Sequence, residues 1–311
     1  LARRSESEED VKQSDIDAIL TPTLPEGPIV LTLGPLLGLG DHGIVTTLPE
    51  RFDALGYDVY IDSEMEASNP EILECLWERN PFLKGLSDRK PNAGYVPMRW
   101  GKFYEIANTL GGHRSIECME RAHGLPPPYN MAPKIYYVPK APPVDVSETV
   151  IVDYSAVSSK LGRGDVEEEI KMMIGRFKEP LMLQLLHPPW VVLNQEQWVP
   201  SVHLCTSIYE YLDFLHQCRA WVGSEAGGQM LAAAVRGERD VYDDDARPEI
   251  VCKITPQTHN SRGYTFRGVD YRETGNGRGE AYWRPGEVET YKYHVSCKIR
   301  SFKMAENLAR G

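Results

Sequence analysis

Short, wholly apolar runs alternate along this chain with stretches of helical spacing, and glycine or proline turns separate the two. Residues 29–33 (IVLTL), bounded by Pro28 and Gly34, read as a buried strand, because a sheet covered on both faces needs continuous apolar positions. A helix is expected over 44–55, ending at Gly56, and a second strand over 58–61. Strand, glycine loop, helix and strand make a βαβ unit with a right-handed crossover. A helix opened at Pro70 and closed before Pro81 follows, then helices over 100–109 and 115–122, and residues 134–143 (KIYYVPKAPP) predict a closing strand and a linker. A second series starts with a strand at 149–154 (TVIVDY) and a helix over 165–177 with an acidic first turn. Strands are expected at 181–186, 190–193 and 202–205. The capping box Ser207-x-x-Glu210 opens a helix to about Cys218, before a strand at 219–222 and a helix through 230–235. Strands and hairpins are expected from 250 to 299, then a terminal helix from 301. The fold class is α/β.

A chain of 311 residues is long enough for two domains of about 150 residues each. The pattern divides into a mobile or partly helical arm (1–28), a first βαβ series (29–144), a second βαβ series (145–249) and a β-rich tail with a terminal helix (250–311). Net charge of -11 argues against an extended nucleic-acid surface. No apolar run approaches the roughly 20 residues that span a bilayer, and no signal-peptide core opens the chain, so a cytoplasmic, non-transmembrane protein is expected. The six cysteines show no C-x-x-C pairing, which predicts reduced, buried thiols and no zinc site. The acidic cluster Asp240, Asp243, Asp244 and Asp245 reads as a solvated surface turn.

Candidate chemistry concentrates in three loops. Residues 221–237 (WVGSEAGGQMLAAAVRG) join a strand end to a helix start through Gly223-Ser224-Glu225-Ala226-Gly227-Gly228. Unpaired N–H groups and the positive dipole end there suit a phosphate, whereas Glu225 suits hydroxyls, so phosphate plus polyol points to a nucleotide sugar. The competing reading is that the glycines only let a helix pack tightly on a sheet. Ser158, Ser159 and Lys160, after the strand at 149–154, suit contact with a diphosphate. In the first βαβ unit, Gly38-x-Gly40-x-x-Gly43 with Asp62 matches the dinucleotide fingerprint and raises an NAD(P)-dependent oxidoreductase. Against it, residues 34–37 intervene between strand and fingerprint, and Pro49 falls within the helix that should carry the pyrophosphate. Asp41 and His42, at the carboxyl edge of the sheet, are both placed to act as a general base, and Asp41 is equally suited to capping the helix.

The order of these features resembles glycosyltransferase family 9, the heptosyltransferase-like enzymes of the glycosyltransferase B fold, over most of residues 29–237. The family's strand, Gly-Asx-Asp-Thr-Gly turn and His-Leu-Ala-Ala helix look like residues 223–234, here with Ala226 and Met230 for the threonine and histidine. Its Thr-Ser-Leu segment is similar to the start of TSIYEYLDFLHQCRAWVG, and its Gly-Asp followed by Thr-Leu-Pro looks like Gly40-Asp41 and Thr47-Leu48-Pro49, with extra residues between. The resemblance implies two Rossmann-like domains facing across a cleft and an inverting, metal-independent transfer of a hexosyl or heptosyl group to an acceptor hydroxyl. Asp41, or else His42, would be the base. Ser158, Ser159, Lys160, Ser224, Glu225, Ala226, Gly227, Gly228 and Gln229 would hold the donor, a nucleotide-sugar co-substrate, with no other cofactor. A non-catalytic binding or assembly module that keeps the fold is the third reading, motivated by the altered turn residues.

Overall fold

The computed structural model describes residues 24, 26–33, 37–67, 69–88, 95–97, 99–110, 114–153, 178–185, 201–239, 247–254, 265–273 and 297–298. Two parallel sheets organise them. In the first, β1 (Ile29–Thr32) pairs with β2 (Val59–Asp62) on one side and β5 (Tyr95–Pro97) on the other, and β4 (Leu83–Ser87) lies outside β2. β1 is buried through its first three residues, as its unbroken apolar text requires. In the second sheet β6 (Thr149–Asp153) and β9 (Ala220–Ser224) are adjacent at the centre. β7 (Lys178–Leu185) and β8 (Ser201–Cys205) flank β6, and β10 (Glu249–Ile254) and β11 (Asp270–Glu273) flank β9. The order β11-β10-β9-β6-β7-β8 is that of a doubly wound dinucleotide-binding sheet, with its switch point between β6 and β9. A two-residue β3 (Glu66–Ala67) pairs antiparallel with β12 (Cys297–Lys298).

Helices follow the local signals where capping is explicit. Asn69 accepts a hydrogen bond from the Glu71 N–H at the start of α3 (Pro70–Leu73), which passes into a π-helical turn over Glu74–Glu78. Helix α4 spans Trp100–Leu110 and α5 spans Ser115–Ala122. Ser207 Oγ accepts from the Glu210 N–H at the start of α6 (Ile208–Gln217), and the glycine turn opens α7 (Gly227–Arg236). Trp77, Phe52 and Phe103 fill the core beside the first sheet and Trp221, Tyr211 and Phe214 that beside the second. Each such side chain contributes roughly 1.5–3 kcal/mol by burial. Among the described residues no helix is long and apolar enough to cross a membrane. Cys75, Cys118, Cys205, Cys218 and Cys252 are free and buried.

Two expectations are corrected. The helix expected over 44–55 is observed only as α2 (Leu48–Ala54), and a separate short helix, α1 (Leu39–Gly43), lies before it. Pro49 sits in the first turn of α2, where its missing N–H costs nothing, and Thr46 Oγ1 donates to the Gly43 carbonyl at 2.9 Å across the break. Residues 134–143 form no strand, although Tyr137 Oη and the Lys140 N–H both donate to Asp213 of α6, at 2.8 and 2.7 Å. From 250, β10 and β11 extend the parallel sheet, while residues 255–264, 274–296 and 299–311 of the expected β-rich tail lie outside the described residues. Thr265 then exchanges hydrogen bonds with Ser115 of α5, tying residues after β10 back to the first half of the chain. The arm over 1–23, the helix over 165–177, the strand at 190–193, the acidic cluster at 240–245 and the terminal helix lie outside the described residues.

Candidate functional site

Both sheets carry their loops of interest at a switch point, where strand order reverses and open α/β sheets bind ligands. In the first sheet that position lies between β1 and β5, and the chain leaving β1 leads into α1 with Asp41. In the second it lies between β6 and β9, whose ends present Asp153, Gly223 and Ser224. Helix α1 packs directly on α7, so the two loops meet. A Cβ on Gly43 would fall 2.3 Å from Met230 Cγ, and one on Gly227 would fall 2.8 Å from Leu39 Cδ2. Only hydrogen at these two positions lets the helices approach so closely. Gly43, the last glycine of the G-x-G-x-x-G run, thus admits the Met230 side chain of α7. The fingerprint helix is five residues long, which leaves it little dipole to offer a dinucleotide.

Asp41 and His42 are separated by the fold. Asp41 is half-buried, and its Oδ2 accepts from the Gly38 N–H at 2.9 Å, closing the first turn of α1. The capping role is therefore real, and it holds the carboxylate in a fixed orientation. His42 is 0% exposed. The Trp77 Nε1–H donates to its Nδ1 at 2.9 Å, which puts the ring proton on Nε2. Burial pushes its pKa down to about 3, against a smaller opposing pull from the Glu66 backbone. This is the environment of a neutral core histidine, with its Nδ1 already engaged and no part of the ring at the surface.

In the glycine turn, Ala226 is the N-cap of α7 and has no side-chain oxygen to offer the first N–H groups. Ser224 is 1% exposed, and its Oγ has no hydrogen-bond partner among the described residues. Glu225 is half-buried, close enough to Cys252 and Tyr271 to raise both groups' pKa behind the dominant effect of burial. Gln229 is buried in the first turn and donates through Nε2 to Tyr271 Oη. The expected donor residues Ser224 to Gln229 thus form one continuous turn. Ser158, Ser159 and Lys160 lie outside the described residues.

Beneath the turn is a polar chain that the sequence reading missed. Trp221 Nε1–H donates to Tyr211 Oη at 2.9 Å, and Tyr211 O–H donates to Asp153 Oδ2 at 2.5 Å. A Cβ on Gly228 would fall 2.4 Å from that oxygen and 2.7 Å from Tyr211 Oη. Gly228 is therefore required by the Asp153 carboxylate, which seats against the start of α7, where the helix dipole favours negative charge. Burial first, then the Asp153 charge, raises the Tyr211 pKa well above its ordinary value, so the phenol stays a donor. Only the position of Asp153 as the last residue of β6 gave any signal.

No protein-family model matches the chain, and no curated protein matches it in sequence. Solved structures do match. A glycosyl transferase family 9 structure from Veillonella parvula is 12% identical, covers 82% of this chain and 88% of its own, and superposes with a TM-score of 0.54. The iron-containing dodecameric glycosyltransferase TibC from enterotoxigenic E. coli is 14% identical over 86% of this chain and 73% of its own, with a TM-score of 0.55. TibC in complex with ADP-D-beta-D-heptose gives 15% identity, 88% and 74% coverage and a TM-score of 0.51. The chain has the glycosyltransferase B fold. Within that fold it resembles the structures of glycosyltransferase family 9.

Proposed function

We propose that this chain is a glycosyltransferase that moves a hexosyl or heptosyl group from a nucleotide-sugar donor to an acceptor hydroxyl with inversion, and that the transfer step uses no metal ion. The observation that supports the proposal is the packing of α1, which carries Asp41, on α7, whose first turn carries Gly227, Gly228 and Gln229. Asp41 takes the proton from the acceptor hydroxyl as its oxygen forms a bond to the anomeric carbon. The bond from that carbon to the diphosphate breaks on the opposite face, and the electron pair leaves with the diphosphate. The N–H groups at the start of α7 stabilise the departing charge, together with Ser158, Ser159 and Lys160. Glu225 and Ser224 accept and donate hydrogen bonds at the donor. The acceptor is a hydroxyl of a glycan, a lipid-linked saccharide, a protein or another hydroxyl-bearing molecule.

The ADP-heptose held by TibC makes that donor the first of a panel to screen, beside other nucleotide sugars and nicotinamide cofactors. A donor present at 100 times its Kd stabilises the native state by about 2.7 kcal/mol. Thermal unfolding should shift upward with at least one nucleotide sugar, and that donor should support transfer or slow hydrolysis. A shift with NAD(P) alone would favour the oxidoreductase. A shift without turnover for any donor would favour a binding module.

A further inference from the structure

Three side chains outside the proposed transfer site converge at the carboxyl end of β8, the edge strand two positions from β6. His203 and Cys205 stand two residues apart on β8 and so share a face of the strand, and Glu210 reaches them from the first turn of α6. One ligand atom from each lies within 4.8 Å of the others. His203 Nε2 and Glu210 Oε1 are 2.7 Å apart. Around a tetrahedral ion with bonds of about 2.0–2.1 Å to nitrogen and oxygen and about 2.3 Å to sulfur, the nitrogen–oxygen edge is about 3.3 Å and the sulfur–nitrogen edge about 3.6 Å. The imidazole and carboxylate need to part by about 0.6 Å and the sulfur to close by about 1.2 Å at most.

The surroundings are also those of a ligand set. Glu210 Oε2 accepts from the Thr206 N–H at 2.7 Å and from Thr206 Oγ1 at 2.9 Å, which fixes the carboxylate and leaves Oε1 facing the histidine and the thiol. The His203 ring rests on Phe214 with centroids 4.8 Å apart, so its plane is held as well. The His203 and Glu210 side chains keep 29% and 24% exposure, enough to admit an ion from solvent, while Cys205 is fully buried.

We propose that His203, Cys205 and Glu210 form a binding site for a divalent cation of the zinc class, with water as fourth ligand, that clasps the end of β8 to the first turn of α6. Binding releases the thiol proton to solvent and involves no change of oxidation state. The clasp acts on the turn that Glu71 of α3 engages through Oε2, 2.8 Å from the Ile208 N–H. It therefore steadies the contact of α6 with the first half of the chain and takes no part in the transfer step. This inference does not depend on the proposed sugar chemistry.

The test is cobalt(II) titration of the full chain, read by the thiolate-to-cobalt absorption in the near ultraviolet. One equivalent should develop the band, and Cys205→Ser and His203→Gln should each abolish it. Thr206→Val should keep the band and weaken binding by about 10- to 100-fold, the usual cost of an outer-shell partner. If Cys205→Ser does not fold, as judged by circular dichroism, the half-exposed His203→Gln decides. The absence of a band at saturating cobalt, or a band unchanged in either ligand variant, would overturn the proposal.

Discussion

Replacing His42 by Gln should flatten the dependence of stability on acid. In the fold His42 is fully buried and neutral, with its pKa pushed down to about 3, while in the unfolded chain it titrates at the ordinary value of 6.5. Between those two values the unfolded state binds the extra proton, so folding stability rises with pH. The contribution is fully present above 6.5 and is lost as pH falls toward 3. By pH 4.5, two pH units into that window, the loss is about 2.7 kcal/mol at about 1.36 kcal/mol per unit. Glutamine keeps an oxygen that can accept from Trp77 Nε1–H but carries no titrating group. Urea unfolding of parent and His42→Gln at pH 7.5 and 4.5 isolates the term, because Glu71, Glu120 and Glu210 titrate in both proteins. The parent should lose about 2.7 kcal/mol more than the variant over that interval. Parallel losses would mean that His42 is accessible to protons in the native state, and would restore it as a candidate base.

Gly228→Ala should destabilise the protein by about 1–3 kcal/mol, since its Cβ would press on Asp153 Oδ2 and Tyr211 Oη, and chemical denaturation measures the loss. Tyr211→Phe removes the hydroxyl between Trp221 and Asp153, and leaving the buried carboxylate without that donor should cost about 1–3 kcal/mol in the same assay. Lys160→Ala should weaken nucleoside diphosphate binding by about 1.5–3 kcal/mol by calorimetry, and unchanged affinity would remove Lys160 from the site.

The parts of the fold that were legible in the sequence are those where one local rule dominates. β1 and β6 are unbroken apolar runs, and α6 begins at an explicit capping box. The glycine turn was legible as a turn, but its glycines answer to specific neighbours, Leu39 and Asp153, that only the folded chain supplies. β4 and β5 gave no such signal, because LKGLS and YVP have neither an apolar run nor alternation, and register with β2 and β1 makes them strands. β10 looked like the start of a hairpin series because strand text does not encode direction, which here is set by pairing with β9. Asp41 and His42 are adjacent in sequence and equivalent as chemistry. A helical turn sends one to the Gly38 N–H and the other against Trp77, and no spacing rule distinguishes them. The His203, Cys205 and Glu210 cluster escaped for the same reason, since its third member comes from the next element.

The role given to Asp41 rests most directly on the rate of sugar transfer by Asp41→Asn. Asparagine can still accept from the Gly38 N–H through Oδ1, so the first turn of α1 is preserved, but it cannot take a proton from the acceptor. With a donor that the parent turns over, the variant should transfer about 10²- to 10⁴-fold more slowly, while donor affinity, assigned to the turn from Ser224 to Gln229, stays near the parent value. Transfer by Asp41→Asn at the parent rate would contradict the account.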